Sequence, residues 1–308
     1  MDPALIAFGL GVGVLVGMTG IGGGSLMTPL LILVFGVQPV TAIGTDLAYG
    51  AVTKSVGGFK HWRQKTVDLK LSTWMALGSV PAAIGGVYVL EAIQRSAGKD
   101  FDDVLLTVLA GALLLCGVAT LGRAVFLKHL DEKERQNGSS TPRARIAAVV
   151  MGVFVGFVLG VTSAGSGALI AVGLILLFRL VPRRVVGTDV FHAAILLWAA
   201  AAAHIVAGNV DFALAGTILL GSVPGVWLGS HWSVRVPVAA LRTTLAVLLI
   251  GAGLALLIKA GLGIPTAALA AFPVAVAALL IGAVLRDRRV EKRLRESPLD
   301  APLPSLGR

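Results

Sequence analysis

The sequence is poor in the groups on which most soluble chemistry depends. It holds one cysteine, Cys116, set in an apolar run, so a disulfide framework and a thiolate metal site are excluded. Charge is scarce, at 14% of residues against about 25% in soluble domains. No His/Cys cluster is spaced for metal binding, and neither metal nor cofactor is expected. The first residues, Met1-Asp2-Pro3, lack a basic n-region, and no cleavable signal peptide is expected. No Lys-Ser/Thr follows the glycine-rich stretches, which removes a P-loop. Ser163 and Ser166 lack the Gly-x-Ser-x-Gly setting of a hydrolase nucleophile. With no nucleophile or metal set beside the acids and histidines, catalytic residues are not expected and an enzyme is the weakest reading.

What remains is apolar. Of 308 residues, 56% are hydrophobic, and the mean hydropathy is +0.89. The fold class is all-α, integral to a membrane, with lipid as a partner. The net charge of +10 does not point to nucleic acid, because the basic residues sit in loops and the C-terminal tail between apolar spans. Those spans are Ala4–Val37, Val40–Gly58, Leu71–Leu90, Val104–Phe126, Ile146–Phe178, Val185–Val206, Phe212–Trp232, Leu245–Ile258 and Ile264–Leu285.

Two spans are broken by glycine. Thr19-Gly20-Ile21-Gly22-Gly23-Gly24-Ser25 interrupts the first, and Thr162-Ser163-Ala164-Gly165-Ser166-Gly167 the fifth. Glycine is a poor helix former, so the backbone unwinds there and restarts near Ser25. Unwound backbone inside a bilayer is tolerated where it is buried in protein or lines a cavity.

The breaks belong to a repeat. Gly44-Thr45-Asp46 recurs as Gly187-Thr188-Asp189, an offset of 143 residues, and the same offset pairs Leu77-Gly78-Ser79-Val80-Pro81 with Leu220-Gly221-Ser222-Val223-Pro224. Gly9, Gly13 and Gly17 pair with Gly152, Gly156 and Gly160, a spacing that suits helix packing. The expected organisation is a first membrane repeat at 1–127, a cytoplasmic linker at 128–145, a second repeat at 146–259, an extra transmembrane helix at 260–285 and a basic cytoplasmic tail at 286–308.

Loop charge sets orientation. Lys60–Lys65 is basic and reads as cytoplasmic, Glu91–Asp103 is acidic and external, and Arg145, Arg179, Arg183 and Arg184 put both flanks of the second broken span inside. That span is then a re-entrant pair of half-helices, too long for one crossing of about 20 residues. Each repeat becomes one re-entrant or broken helix plus three transmembrane helices. An odd number of crossings makes the repeats inverted, a transporter architecture.

The breaks suit an anion. Free N–H groups at a restarting helix carry the positive end of its dipole. Gly22, Gly23, Gly24, Ser25, Gly165, Ser166 and Gly167 are candidate binding residues, with the hydroxyls of Thr19, Thr28, Thr162 and Ser163, and with Thr45 and Thr188 alongside. Asp46 and Asp189 carry two readings, an N-cap or first-turn carboxylate and a proton carrier beside the anion. His192 follows Asp189 by three and shares its face as a third proton-coupling candidate. Lys54 reads as snorkelling toward the cytoplasmic end of its span.

Gly17-Met18-Thr19-Gly20-Ile21-Gly22-Gly23-Gly24-Ser25-Leu26-Met27-Thr28-Pro29 and Ala42-Ile43-Gly44-Thr45 resemble the sulfite exporter TauE/SafE family of membrane transporters, over roughly Leu5 to Leu257. The resemblance implies a bacterial inner-membrane, multi-pass secondary transporter, and the basic tail read from loop charge puts the C-terminus in the cytoplasm. It implies a small anion as substrate, sulfite or an organosulfonate. The chain departs from the family's pattern in carrying Asp46 and Asp189 after its Gly-Thr pairs. The alternative is a membrane scaffold or assembly partner of a respiratory or sulfur-metabolism enzyme, docked through Arg286–Arg295.

Overall fold

The computed structural model describes residues 3–19, 24–125, 141–232 and 238–263. Every regular element among them is helical: α1 (Pro3–Thr19), α2 (Gly24–Val34), α3 (Pro39–Arg63), α4 (Leu69–Ala97), α5 (Phe101–Val125), α6 (Pro142–Thr162), α7 (Leu169–Leu176), α8 (Pro182–Val206), α9 (Phe212–Trp232) and α10 (Val238–Lys259). The expected final span, the tail, Gly22 and Gly23 lie outside the described residues. Five of these helices, α4, α5, α6, α8 and α9, are long and apolar enough to cross a membrane. α3 falls short of that composition while matching α8 in length, because it carries Asp46 and Lys54, which are turned into the protein.

The repeat seen in sequence is reproduced in local structure. α3 and α8 start at the equivalent prolines Pro39 and Pro182, each at the first helical position, and both run for 25 residues. Proline suits that position because its fixed φ is helical and its missing N–H would have no partner there. The equivalent Asp68 and Asp211 each accept a backbone N–H three residues on, from Leu71 at 3.0 Å and Leu214 at 2.9 Å, as helix caps do. The turns repeat as well. After α3, Lys65 takes φ 56° and Thr66 N–H donates to His61 O; after α8, Gly208 takes φ 75° and Asn209 N–H donates to His204 O.

The repeats interlock. Gly9, Gly13 and Gly17 of α1 lie against the backbone of Ile218, Ser222 and Val226 in α9, while Gly152, Gly156 and Gly160 of α6 lie against Met75, Ser79 and Ala83 in α4. Numbers rise together in both sets, so each pair is parallel. Each repeat's first helix therefore packs on the other repeat's third long helix. In lipid no hydrophobic force drives helices together, and close backbone approach over small residues is the available means. The threonines add hydrogen bonds across the same boundary. Asp68 N–H donates to Thr188 Oγ1 at 2.9 Å, and Asp211 N–H to Thr45 Oγ1 at 3.0 Å.

α3 and α8 pack differently. Gly50 meets Leu197 and Gly57 meets Val190, so seven residues forward on α3 are seven residues back on α8. These equivalent helices are antiparallel. Trp198 Nε1 donates to Ser55 Oγ at 2.9 Å, and the two are equivalent positions, so this bond sits at the axis relating the repeats.

One expectation changes in detail. The second broken span is not two comparable half-helices: α6 has 21 residues and α7 has 8. α6 begins before the apolar run because Thr141 accepts the N–H of Ala144 at 3.2 Å and Pro142 fixes the first turn. Its end is still deep, since Gly160 lies against Ala83, the middle residue of α4.

Candidate functional site

α6 stops where its sequence turns polar and glycine-rich. Ser163 takes a left-handed φ of 58°, and Gly165 and Gly167 follow at 115° and 91°. Three such residues in five abolish the helix. The Thr162 hydroxyl stays within its own segment, donating to Val158 O at 2.6 Å and accepting from Ala164 N–H at 3.2 Å. The Ser163 hydroxyl does not. It donates to Asp46 Oδ2 at 2.9 Å.

Asp46 ties the second break to α2. Its Oδ2 also accepts from Thr28 Oγ1, in α2 just after the first break, at 2.7 Å. Thr28 Oγ1 and Ser163 Oγ stand 2.6 Å apart. The three oxygens close a triangle, in a place where Asp46 is 1% exposed. Asp46 Oδ1 has no hydrogen-bond partner. Asp189, in the equivalent place on α8, accepts the backbone N–H of Gly167 at 3.1 Å. The backbone donor at the second break that the sequence marks for an anion is thus met by a carboxylate of the protein. The two acids differ because Thr28 and Ser163 are matched by Ala171 and Gly20, which bring no hydroxyl to Asp189.

Neither acid begins its own helix. The helices start seven residues earlier, at Pro39 and Pro182, and the first-turn reading of these carboxylates is set aside for that reason. Prolines at the first helical position moved both starts upstream of the Gly-Thr-Asp motifs.

One turn past each acid is another polar pair. His192 Nε2 lies 3.2 Å from Ser79 Oγ, and its Nδ1 is unpartnered. Tyr49 holds the equivalent position on α3, buried, with its hydroxyl unpartnered. Ser25 and Ser166 are buried with unpartnered hydroxyls. Lys54 does not snorkel. It is 6% exposed, and its ammonium has no hydrogen-bond partner. The reading of a lysine near the span's end fails because α3 runs nine residues further, to Arg63. Single-residue exposure was not legible in sequence; its signal was that Lys54 pairs with Leu197 in the repeat, an apolar neighbourhood.

Of the candidate residues, Ser163, Asp46 and Thr28 are brought into contact, as are Gly167 and Asp189. Thr45 and Thr188 hold the inter-repeat bonds described above. Thr19 is the last residue of α1 and Gly24 the first of α2. A cleft between α4 and α8, lined by Tyr88, Glu91, Arg95 and Asn209 among others, includes none of these residues. No group of three or more His, Cys, Asp or Glu suited to a metal occurs among the described residues.

The chain is similar to known transporters over most of its length. It is 39% identical over 260 residues to the "Probable membrane transporter protein YjnA" of Bacillus subtilis, covering 83% of this chain and 100% of that one. It is 29% identical over 245 residues to YdhB of the same organism, named in the same way, covering 80% and 96%. A membrane transporter protein of Methanocaldococcus jannaschii, MJ0441, is 26% identical over 174 residues, covering 54% and 59%. No solved structure matches. The model of the family described as sulfite exporter TauE/SafE matches residues 5–256. A multi-pass membrane protein with this match and these relatives is a transporter and not an enzyme, and the chain belongs to the sulfite exporter TauE/SafE family.

Proposed function

We propose that the chain is a proton-coupled secondary transporter of a small oxyanion, sulfite or an organosulfonate, bound where the two helix breaks converge beside Asp46 and Asp189. The observation that carries the reading is the triangle of Asp46, Thr28 and Ser163. It has three short oxygen contacts and two hydroxyl protons. A proton on the carboxyl supplies the third edge and leaves no buried negative charge with a bare oxygen, which would be costly. Donors now turned on Asp46 and Asp189, two hydroxyls and a backbone N–H, are those an oxyanion uses. A substrate takes them over when the acids are protonated, so anion and proton move together.

The layout that goes with this is two inverted membrane repeats, 1–127 and 146–259, joined by a cytoplasmic linker, in the plasma membrane of a bacterial cell. Antiparallel packing of α3 on α8 supports the inversion, and the basic loop at Lys60–Lys65, matched in the other repeat by Ala203–Gly208 with no Lys or Arg, supports its direction. Motion of one repeat against the other would alternate access.

Proteoliposomes loaded with purified protein test this. Uptake of labelled sulfite or an organosulfonate, stimulated by a pH gradient, is expected, and Asp46→Asn should lose the stimulation because the amide cannot release the proton. Absence of transport for every sulfur oxyanion tried would sink the reading, and transport indifferent to the gradient would sink the coupling.

A further inference from the structure

Lys54 has no structural use in sight. Its ammonium makes neither a hydrogen bond nor an ion pair among the described residues. Burying an unpaired ammonium costs several kcal/mol. Packing does not require it, since leucine fills the equivalent place on α8. The lysine is also central. By the antiparallel register, residue 52 of α3 is level with its own equivalent on α8, and Lys54 is two residues beyond it. Asp46 lies about two turns before Lys54, and Asp189 is level with Gly58, about one turn after it. The charged and titratable groups close enough to act on the ammonium through their charge are Asp189 and Asp46, with His192; Arg123 of α5 and His61 act on Asp189 in the same way. The second break covers the same stretch, from Ser163 on Asp46 to Gly167 on Asp189, with the unpartnered Ser166 hydroxyl between them.

We propose that Lys54 is the charged contact of the transported oxyanion, an ammonium buried without a bonded partner in the empty protein and taken up by the substrate's oxygens when it binds. This rests on the transport reading above and adds the group that fixes the substrate's charge. An ammonium offers three donors and a sulfonate three acceptor oxygens, and the unpartnered Ser166 hydroxyl of the second break adds a donor. The lysine has no counterpart in the other repeat, so the site holds one such charge near the axis and not two. One substrate anion can use it from either side.

Calorimetric binding of methanesulfonate and of sulfite to the purified full-length protein decides the matter, using wild type, Lys54→Arg, Lys54→Leu and the double variant Lys54→Leu/Asp189→Asn. The double variant removes both charges of the nearer pair and keeps the protein foldable if the single leucine variant is not. Loss of a charged hydrogen bond should raise Kd by about tenfold or more in both leucine variants, with unliganded melting temperatures at or above wild type in the double, while the arginine variant stays within a few-fold. Leucine variants that bind either anion as wild type does overturn the role of Lys54 and leave the transport reading standing. A wild type that binds neither anion overturns both.

Discussion

Trp198 donates its indole N–H to Ser55 at 2.9 Å, and the two residues occupy the same position in their respective repeats. A residue bonded to its own equivalent marks the axis of the pair, and the antiparallel course of α3 and α8 makes that axis lie across the helices. The proposed inversion puts equivalent loops on opposite faces of the membrane. Gln64 and Ala207 are such a pair, one ending α3 and the other α8. In a Cys116→Ala background, an impermeant maleimide applied to intact cells should label Ala207→Cys and should reach Gln64→Cys only after permeabilisation. Labelling of both from the same side would mean that the repeats are not inverted.

The glycine ladders can be tested against a helical glycine that lies outside them. A Cβ at Gly156 would stand against the backbone of Ser79, whereas one at Gly11 would meet nothing within 4 Å. Backbone cannot yield as a side-chain tip can. Gly156→Ala is expected to destabilise by about 1–3 kcal/mol, as overpacking does, and Gly11→Ala to be neutral or to stabilise by up to ~1 kcal/mol through helix propensity. Thermal unfolding in detergent separates the two. Equal effects would show that the ladder is not a close contact.

Much of this arrangement was legible from the chain. The offset from Asp46 to Asp189 carried the repeat, and the glycines at Gly9 and Gly152 carried the helix pairing, because both are periodic features of sequence. The second break was legible at Gly165 and Gly167 because glycine favours the left-handed backbone that ends a helix. What the residues could not show was partnership across the repeats. Thr45 and Thr188 were read as lining a pocket; that each accepts the N–H that opens a helix of the other repeat was not foreseen. Asp46 was placed beside the breaks, but its bonds to Thr28 and Ser163 depend on two chain segments 135 residues apart, a distance that no local pattern encodes. Lys54 was misjudged for the same reason, its burial being decided by α8.

The shared carboxylate predicts coupling. Thr28→Val and Ser163→Ala each remove one donor from a buried acceptor, and each is expected to cost about 1–3 kcal/mol of stability. Because the two hydroxyls also touch one another, the double variant should depart from the sum of the singles by about 0.5 kcal/mol or more. A double-mutant cycle on thermal unfolding measures this; strict additivity would mean that the hydroxyls act on Asp46 independently.

All three non-glycine residues with left-handed backbone among the described residues, Lys65, Ser163 and Arg179, are aligned with a glycine in the other repeat: Gly208, Gly20 and Gly36. A side chain in that conformation costs about 1 kcal/mol relative to glycine. Lys65 and Arg179 lie in turns, and among the described residues their side chains make no hydrogen bond, so Lys65→Gly and Arg179→Gly should each raise stability by about 0.5–1 kcal/mol. Ser163 tolerates the same strain while its hydroxyl holds Asp46, the pattern of strain kept at a working site. Ser163→Gly should therefore relieve the backbone and still lose stability and proton-driven uptake together. Melting curves and uptake measured on the three variants decide it: if Ser163→Gly behaves like the two turn variants and transports normally, the serine is an accident of the repeat and the triangle at Asp46 is not part of the transport cycle.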